Sequence, residues 1–294
     1  MPNLKELKVR INSVKSTQKI TSAMKLVAAA KLKRAQKSVE AARPYVERME
    51  RMIAILGSSL SNNYTSKLLT GTGHEEVHLI VVFTADNGLC GGFNSSITRA
   101  VRLKIDELIA NGKTVKVVII GRKGYDHLCR THGDKIITFN KNLLRPASNF
   151  KLAENICQEL IKLYEEDNFD VVTLFFNRFH SVITQIVTEQ RIIPINLSGY
   201  NNQKEINALK AMYKFEIDEE SIMSVILPRY LAAQIFNCLL ENAASEYGAR
   251  MTAMDEAASN AKDMLSKLTL KYNRTRQTCI TNELIEIISG AEAL

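Results

Sequence analysis

Residues 233–268 read AQIFNCLLENAASEYGARMTAMDEAASNAKDMLSKL. Sampled at alternating steps of three and four they give Ala233, Phe236, Leu240, Ala243, Tyr247, Arg250, Met254, Ala257, Ala261, Met264 and Leu268, with Arg250 the only charge. Apolar residues recurring every 3.5 positions form a seam that winds around a second helix. From about Asp218 to Ser289 the only proline is Pro228 and the only glycine is Gly248. At 1.5 Å per residue a helix over most of that span is on the order of 100 Å long, more than a compact domain of this size encloses, so it needs a long partner.

The other end of the chain supplies a candidate. The same sampling from Leu4 gives Leu4, Leu7, Ile11, Val14, Gln18, Thr21, Lys25, Ala28, Leu32, Ala35, Val39, Ala42, Val46, Met49 and Ile53, apolar everywhere but the central three. Across that polar gap Ile20, Met24 and Val27 continue an apolar stripe displaced by about one residue, which predicts a seam drifting toward the straighter 3.6 period. Pro44 removes a backbone hydrogen bond and costs roughly 3 kcal/mol in a helix interior, so a bend or break is expected near Arg43. Heptads alone leave open whether the partner helix belongs to the same chain or to a second copy in a homodimeric scaffold.

Between the helices the periodicity changes. Val77–Thr84, Val115–Ile120, Lys135–Phe139 and Val171–Phe176 are short runs rich in β-branched residues. They alternate with amphipathic helical stretches at Ser96–Ala110, Lys123–Arg130 and Leu152–Glu165, an order that predicts a mostly parallel sheet. A closing hairpin is expected through Ser181–Thr188 to Ile192–Ile195. The polar stretches Ser58–Glu76 and Ser198–Glu205 read as connectors.

Composition narrows the function classes. The 294 residues are 46% hydrophobic and 24% charged, as in soluble globular proteins. The longest apolar stretch, Val77–Ala85, is far short of the roughly 18 residues of a membrane span, so membrane association is expected only through partners. No apolar segment with a cleavage site opens the chain, and no secretory signal or transit peptide is expected. Five widely spaced cysteines without a Cys-x-x-Cys pair suit a reduced, cytoplasmic setting. Of the net charge of +8, residues 1–52 hold thirteen Lys and Arg against four Asp and Glu, so the basicity belongs to the first helix. That helix has no aromatic residue before Tyr45 to stack on bases, and an acidic protein partner explains it better than nucleic acid.

Catalytic chemistry finds little support. Asp86-Asn-Gly-Leu-Cys-Gly-Gly-Phe-Asn94 sits between a strand and a helix, where α/β folds bind phosphates. It lacks the Gly-x-x-x-x-Gly-Lys spacing and a clamping lysine, and a tight packing turn is expected there and at Gly121-Arg-Lys-Gly124; a nucleotide-using enzyme built on Gly88–Gly92 is the rival. His74 and His78 stand where a loop enters a strand and would not share a face, and His127, His132 and His180 are isolated. No catalytic residue, cofactor or metal site is expected.

Four segments resemble one family. Ile280-Thr-Asn-Glu-Leu-Ile-Glu-Ile-Ile-Ser-Gly-Ala-Glu-Ala293 is similar to the carboxy-terminal signature of F-type ATP synthase gamma subunits. Thr17–Lys31, Gly88-Leu-Cys-Gly-Gly92 and Ser245–Asn260 resemble the same family. The resemblance implies an α/β fold in which amino- and carboxy-terminal helices (1–57 and 210–294) form a long antiparallel coiled coil beside a central Rossmann-like domain (75–200). It implies a non-catalytic rotor, with the coil inside a ring of alpha and beta subunits and the base on the epsilon subunit and the membrane c ring. Turning of that ring, driven by protons, would cycle the beta subunits through ATP synthesis at the cytoplasmic face of a bacterial inner membrane. By position, Met24, Lys25, Lys31, Lys33 and Arg34 would meet acidic beta-subunit loops, and Arg276 and Gln277 would make a polar contact to a beta-subunit loop. Thr281 and Glu283 belong to the signature, Ile287–Leu294 would turn in an apolar collar, and Tyr213 and Glu216 would form the foot on the membrane ring.

Overall fold

A computed structural model of the chain describes residues 4–59, 67–140, 150–166, 169–195 and 219–292. Its elements in order are α1 (Leu4–Ser59), α2 (Lys67–Thr70), β1 (Val77–Phe83), α3 (Phe93–Ala110), β2 (Thr114–Ile120) and α4 (Arg122–His132). A 3-10 turn (Gly133–Lys135) leads to β3 (Ile136–Asn140), α5 (Phe150–Glu165), β4 (Val171–Phe179), β5 (Gln185–Ile193) and α6 (Glu219–Glu292).

α1 and α6 contain 56 and 74 residues, lengths of about 84 and 110 Å. They run antiparallel. Gln234 donates to Glu50 at 2.8 Å, Arg43 lies 3.6 Å from Glu241, the Lys31 ammonium stands 5.6 Å from the Tyr247 ring centroid, and Lys25 reaches Asp255 at 2.6 Å. Both seams are thus consumed within one chain. Leu7, Ala28, Leu32, Val39, Val46, Met49 and Ile53 of α1 are buried, and each large side chain among them contributes about 1.5–3 kcal/mol.

The seam does not drift at its polar centre. Gln18, Thr21 and Lys25 stay in phase and inward, whereas Ile20 and Val27 are more than half exposed. The polar positions are tolerated because each has a local solution. Thr21 Oγ1 donates to the carbonyls of Thr17 and Gln18, and Lys25 carries its charge to Asp255. Nor does Pro44 break α1. It lies on the exposed side, where water can serve the carbonyl deprived of its partner, while Val39, Val46 and Met49 hold the helix from the other side.

The sheet has the order β3-β2-β1-β4-β5, parallel throughout except for the β4–β5 pair. The closing hairpin differs from the sequence expectation: one long strand, Gln185–Ile193, pairs back on β4 across a turn at residues 180–184. Alternate residues of β1 serve opposite layers. Ile80 and Val82 pack on Ile97, Val101 and Ile105 of α3. Leu79, Val81 and Phe83 belong to a second core with α5, Met223–Leu239 of α6 and Ile53 and Leu56 of α1. Coverage of both faces is what near-continuous apolar parallel strands require. The bases of the two long helices are therefore a layer of the α/β domain, and the coil grows out of that layer.

Two junctions set the geometry of the domain. Gly121 has φ +109°, and a Cβ there would fall 2.1 Å from the Thr84 carbonyl oxygen. The neighbouring Thr84 Oγ1 accepts from Gly124 N at 2.9 Å. Asp170, just before β4, accepts from Thr72 Oγ1 at 2.6 Å and from the N–H groups of Glu76 and Val77 at 3.0 and 2.9 Å. Burial works to raise its carboxyl's pKa but is outweighed by these hydrogen bonds, which hold it below the ordinary value.

Gly121→Ala should destabilise the chain by about 2–4 kcal/mol in denaturant unfolding, through backbone strain plus the collision with Thr84. Asp170→Asn should cost about 1 kcal/mol at neutral pH. Because the native carboxyl titrates below its unfolded value of 3.8, the wild-type advantage is whole above that pH. It fades as pH falls from 3.8 through the lower native value, which acid titrations of the melting temperature of both proteins will check.

Candidate partner interface

The glycine-rich turn after β1 is a seat for the shaft. Ala85, Cys90 and Phe93 pack on Ala249 of α6. The carbonyls of Asn87 and Gly88 each accept from the Arg250 guanidinium at 3.3 Å, and Arg250 is held by Glu246 at 2.6 Å. The turn's Asn94 Oδ1 accepts from Ala85 N at 2.9 Å. Phosphate sites need N–H groups directed at the ligand; here the turn directs carbonyls at an arginine. Glu246 is almost fully buried, and burial raises its pKa against the opposing pull of Arg250. The corresponding turn after β2 is closed equally, since Arg122 N donates to Asp86 Oδ1 and Lys123 N to the Ala85 carbonyl.

Two of the histidines have structural surroundings. His78 Nε2 lies 3.2 Å from the Glu75 carbonyl, with burial lowering its pKa, and His132 Nε2 lies 3.3 Å from Asp106. No group of three potential metal ligands occurs among the described residues.

Among the described residues, the outside of the coil offers two candidate surfaces for meeting other molecules. On a helix of 100° per residue, Val9, Ile20 and Val27 of α1 fall on one line opposite the seam, and Lys31 and Arg34 flank its continuation. All five are exposed. This outward apolar line escaped the sequence reading, which put Ile20 and Val27 into a drifting seam. The signal that could have found it is the unbroken phase of the three-and-four steps through Gln18, Thr21 and Lys25. Met24 and Lys25 are half-buried, and the Lys25 charge is already matched by Asp255. Lys33 is exposed on the flank.

The far end of α6 is the second feature. The cross-helix register sets Leu4 opposite residue ~276, so among the described residues 277–292 continue as about 24 Å of single helix. Every residue from 280 to 291 is exposed, including Ile280, Leu284, Ile285, Ile287 and Ile288. Ile280, Leu284, Ile287 and Ala291 share one face, joined at its base by Arg276 and Gln277 and flanked by Glu283. Thr281 Oγ1 donates to the Gln277 carbonyl at 2.9 Å. Large aliphatic side chains exposed side by side in this way are what partner-binding surfaces present, which makes the stripe a candidate interface. Tyr213, Glu216 and Leu294 lie outside the described residues.

Comparison with known proteins gives this geometry a family. The ATP synthase family profile matches residues 3–294. The ATP synthase gamma chains of Paramagnetospirillum magneticum and Rhodospirillum rubrum are 50% and 52% identical, each alignment covering 100% of both chains. Among solved structures, a chain from the central stalk and c ring of the Tetrahymena thermophila mitochondrial ATP synthase is 28% identical with a TM-score of 0.59, covering 81% of this chain and 99% of that one. A chain of the Euglena gracilis mitochondrial ATP synthase has a TM-score of 0.71 over 99% of this chain and 94% of that one; at 19% identity it speaks to the fold alone. With the long coil, the α/β base and the full-length matches in agreement, the chain belongs to the gamma chain family of ATP synthase, a non-catalytic subunit of that complex.

Proposed function

We propose that this chain is the turning shaft that couples proton-driven rotation of a membrane c ring to the conformational cycle of catalytic beta subunits, in the direction of ATP synthesis. The observation that carries the proposal is the exposed aliphatic stripe on the helix of residues 277–292, which among the described residues projects beyond its partner from a coil built into the α/β domain. Shaft and base follow the division 1–57 and 210–294 against 75–200. The base would rest on the c ring and the epsilon subunit, with Tyr213 and Glu216 as its foot. The coil would stand inside a ring of alpha and beta subunits, at the cytoplasmic face of a bacterial inner membrane, so the chain's membrane association would be indirect.

The physical requirement is differential contact. Moving a two-state partner from 1:99 to 99:1 takes about 5.5 kcal/mol of difference between states, and a ligand that touches every state equally shifts nothing. A coil of two unlike helices cannot present the same face in three directions. One side offers the line Val9, Ile20, Val27 with Lys31 and Arg34, a separate flank of α1 carries Lys33, and another side offers α6 with its acidic and small residues. Each catalytic subunit of a threefold ring would therefore meet a different surface at any instant. Arg276, Gln277, Thr281 and Glu283 would supply polar contacts just below the bearing formed by Ile287–Leu294.

Affinity purification of the tagged chain from native membranes should recover alpha, beta, epsilon and c subunits; recovery of the chain alone or as a homodimer contradicts the proposal. Replacing Ile280, Leu284 and Ile287 together by serine removes side chains that are exposed in this chain, so its own unfolding free energy should move by no more than about 0.5 kcal/mol per site. ATP hydrolysis by the complex reassembled with that variant should fall severalfold. Undiminished hydrolysis would remove the tip from the interface.

A further inference from the structure

The stripe of α6 that faces β4 is polar, although the elements around it are packed by aliphatic side chains. Glu241 Oε2 accepts from Phe179 N at 2.9 Å, and Asn242 Oδ1 accepts from Asn177 N at 3.3 Å. Ser245 Oγ donates to the Asn177 carbonyl at 2.8 Å, and Thr252 Oγ1 donates to the Val182 carbonyl at 3.2 Å. Asn177 Nδ2 extends the set to the Phe93 carbonyl at 3.4 Å. Between these positions Gly248 lets the edge of the Phe179 ring and the Val182 carbonyl come close; a Cβ there would stand 3.3 Å from the ring. Positions 241, 242, 245, 248 and 252 form one helical stripe. Glu241, Asn242 and Ser245 are at most 4% exposed.

This stripe begins where the second core ends. Below it, Met223–Leu239 are held to the sheet mainly by aliphatic packing, which is strong but indifferent to direction; the polar contacts there, from Gln234 and Cys238 to Gln190, are between side chains and leave the strand backbone untouched. Above it, the coil leaves the domain. A twisting load between domain and coil concentrates at that exit, and resistance there calls for bonds that weaken as their angle changes, which hydrogen bonds to strand backbone do. Core filling does not account for Asn242. Its Nδ2 has no partner among the described residues, so an aliphatic residue of similar size would serve packing alone at least as well.

We propose that Glu241, Asn242 and Ser245 are positioning residues that key the rotational setting of the shaft to the α/β domain, so that torque passes from base to coil without slip. The proposal rests on the rotor reading and adds the joint through which rotation is transmitted. Loss of one neutral hydrogen bond shifts a two-state alignment about fivefold, so weakening the key admits slipped settings while the aliphatic contacts persist.

The test uses the complete complex in sealed inverted membrane vesicles, carrying Asn242→Leu, Ser245→Ala or both, with ATP hydrolysis, ATP-driven proton pumping and the assembled amount measured together. The expected result is assembly and hydrolysis close to wild type, with protons pumped per ATP reduced about twofold in each single variant and about fivefold in the double variant. The Asn242→Leu chain is expected to melt within a few degrees of wild type. Unchanged pumping per ATP in the double variant overturns the proposal. So does failure of all three variants to assemble, or a fall of hydrolysis and pumping in proportion to assembly, since either assigns the stripe to stability alone. Wild-type complex measured in parallel separates the two readings: coupled pumping by wild type upholds the rotor whatever the variants do, and its absence overturns both.

Discussion

The structure depends on one apposition, that of α1 and α6 along an antiparallel seam whose lower end is at the same time a layer of the α/β domain. Ile53 and Leu56 from α1 and Met223–Leu239 from α6 join the core on one face of the sheet. Leu32 and Val39 meet Leu240, Ala243 and Tyr247 farther along. Because the two cores share the same helices, bending the coil away from the domain would open apolar contacts on both sides of the junction. Stiffness against bending at the base follows from burial, while the rotational setting of the coil falls to the polar stripe on Glu241, Asn242 and Ser245.

Along the seam the polar residues are placed where they can be satisfied cheaply. Thr21 bonds back into its own helix, and Lys25 and Asp255 pair at the edge of the interface, where each side chain keeps part of its hydration. Such partly exposed pairs add at most about 1 kcal/mol, but they penalise other registers, where a lysine would face an alanine. Near the sheet the polar groups are buried instead, Glu241, Asn242 and Ser245 answered by strand backbone and Gln234 by the side chains of Gln190 and Glu50. The gradient from exposed ion pair to buried hydrogen bond runs from the free end of the coil toward its base.

Much of this was legible in the sequence because it is written in short-range periodicity. The three-and-four steps from Leu4 and Ala233 identify the inward positions, and the β-branched runs identify four of the five strands nearly to their ends. Four features depended on tertiary context. Pro44 reads as a break in isolation and is tolerated because it faces solvent between buried Val39 and Val46. Ile20 and Val27 read as core and are surface, since periodicity shows that a stripe is apolar without showing what covers it. The overhang of α6 required the register, which rests on pairs such as Lys25–Asp255 separated by 230 positions. The polar stripe on Glu241, Asn242 and Ser245 was invisible for the same reason: its partners are backbone groups of β4, which carry no sequence signature. For the candidate interface, the residues Met24–Arg34 and Arg276–Glu283 were found by family resemblance, and the outward line through Val9, Ile20 and Val27 only from the folded coil.

The most direct test is the distance between spin labels on Lys19 and Lys262, two exposed sites that the register sets opposite each other near the middle of the coil. An antiparallel shaft predicts a narrow distribution centred at about 15–20 Å, an interaxial separation of about 10 Å lengthened by the label arms. A broad distribution, or a mean beyond about 40 Å, would mean that the ends of the chain do not wind together, and the shaft would not exist.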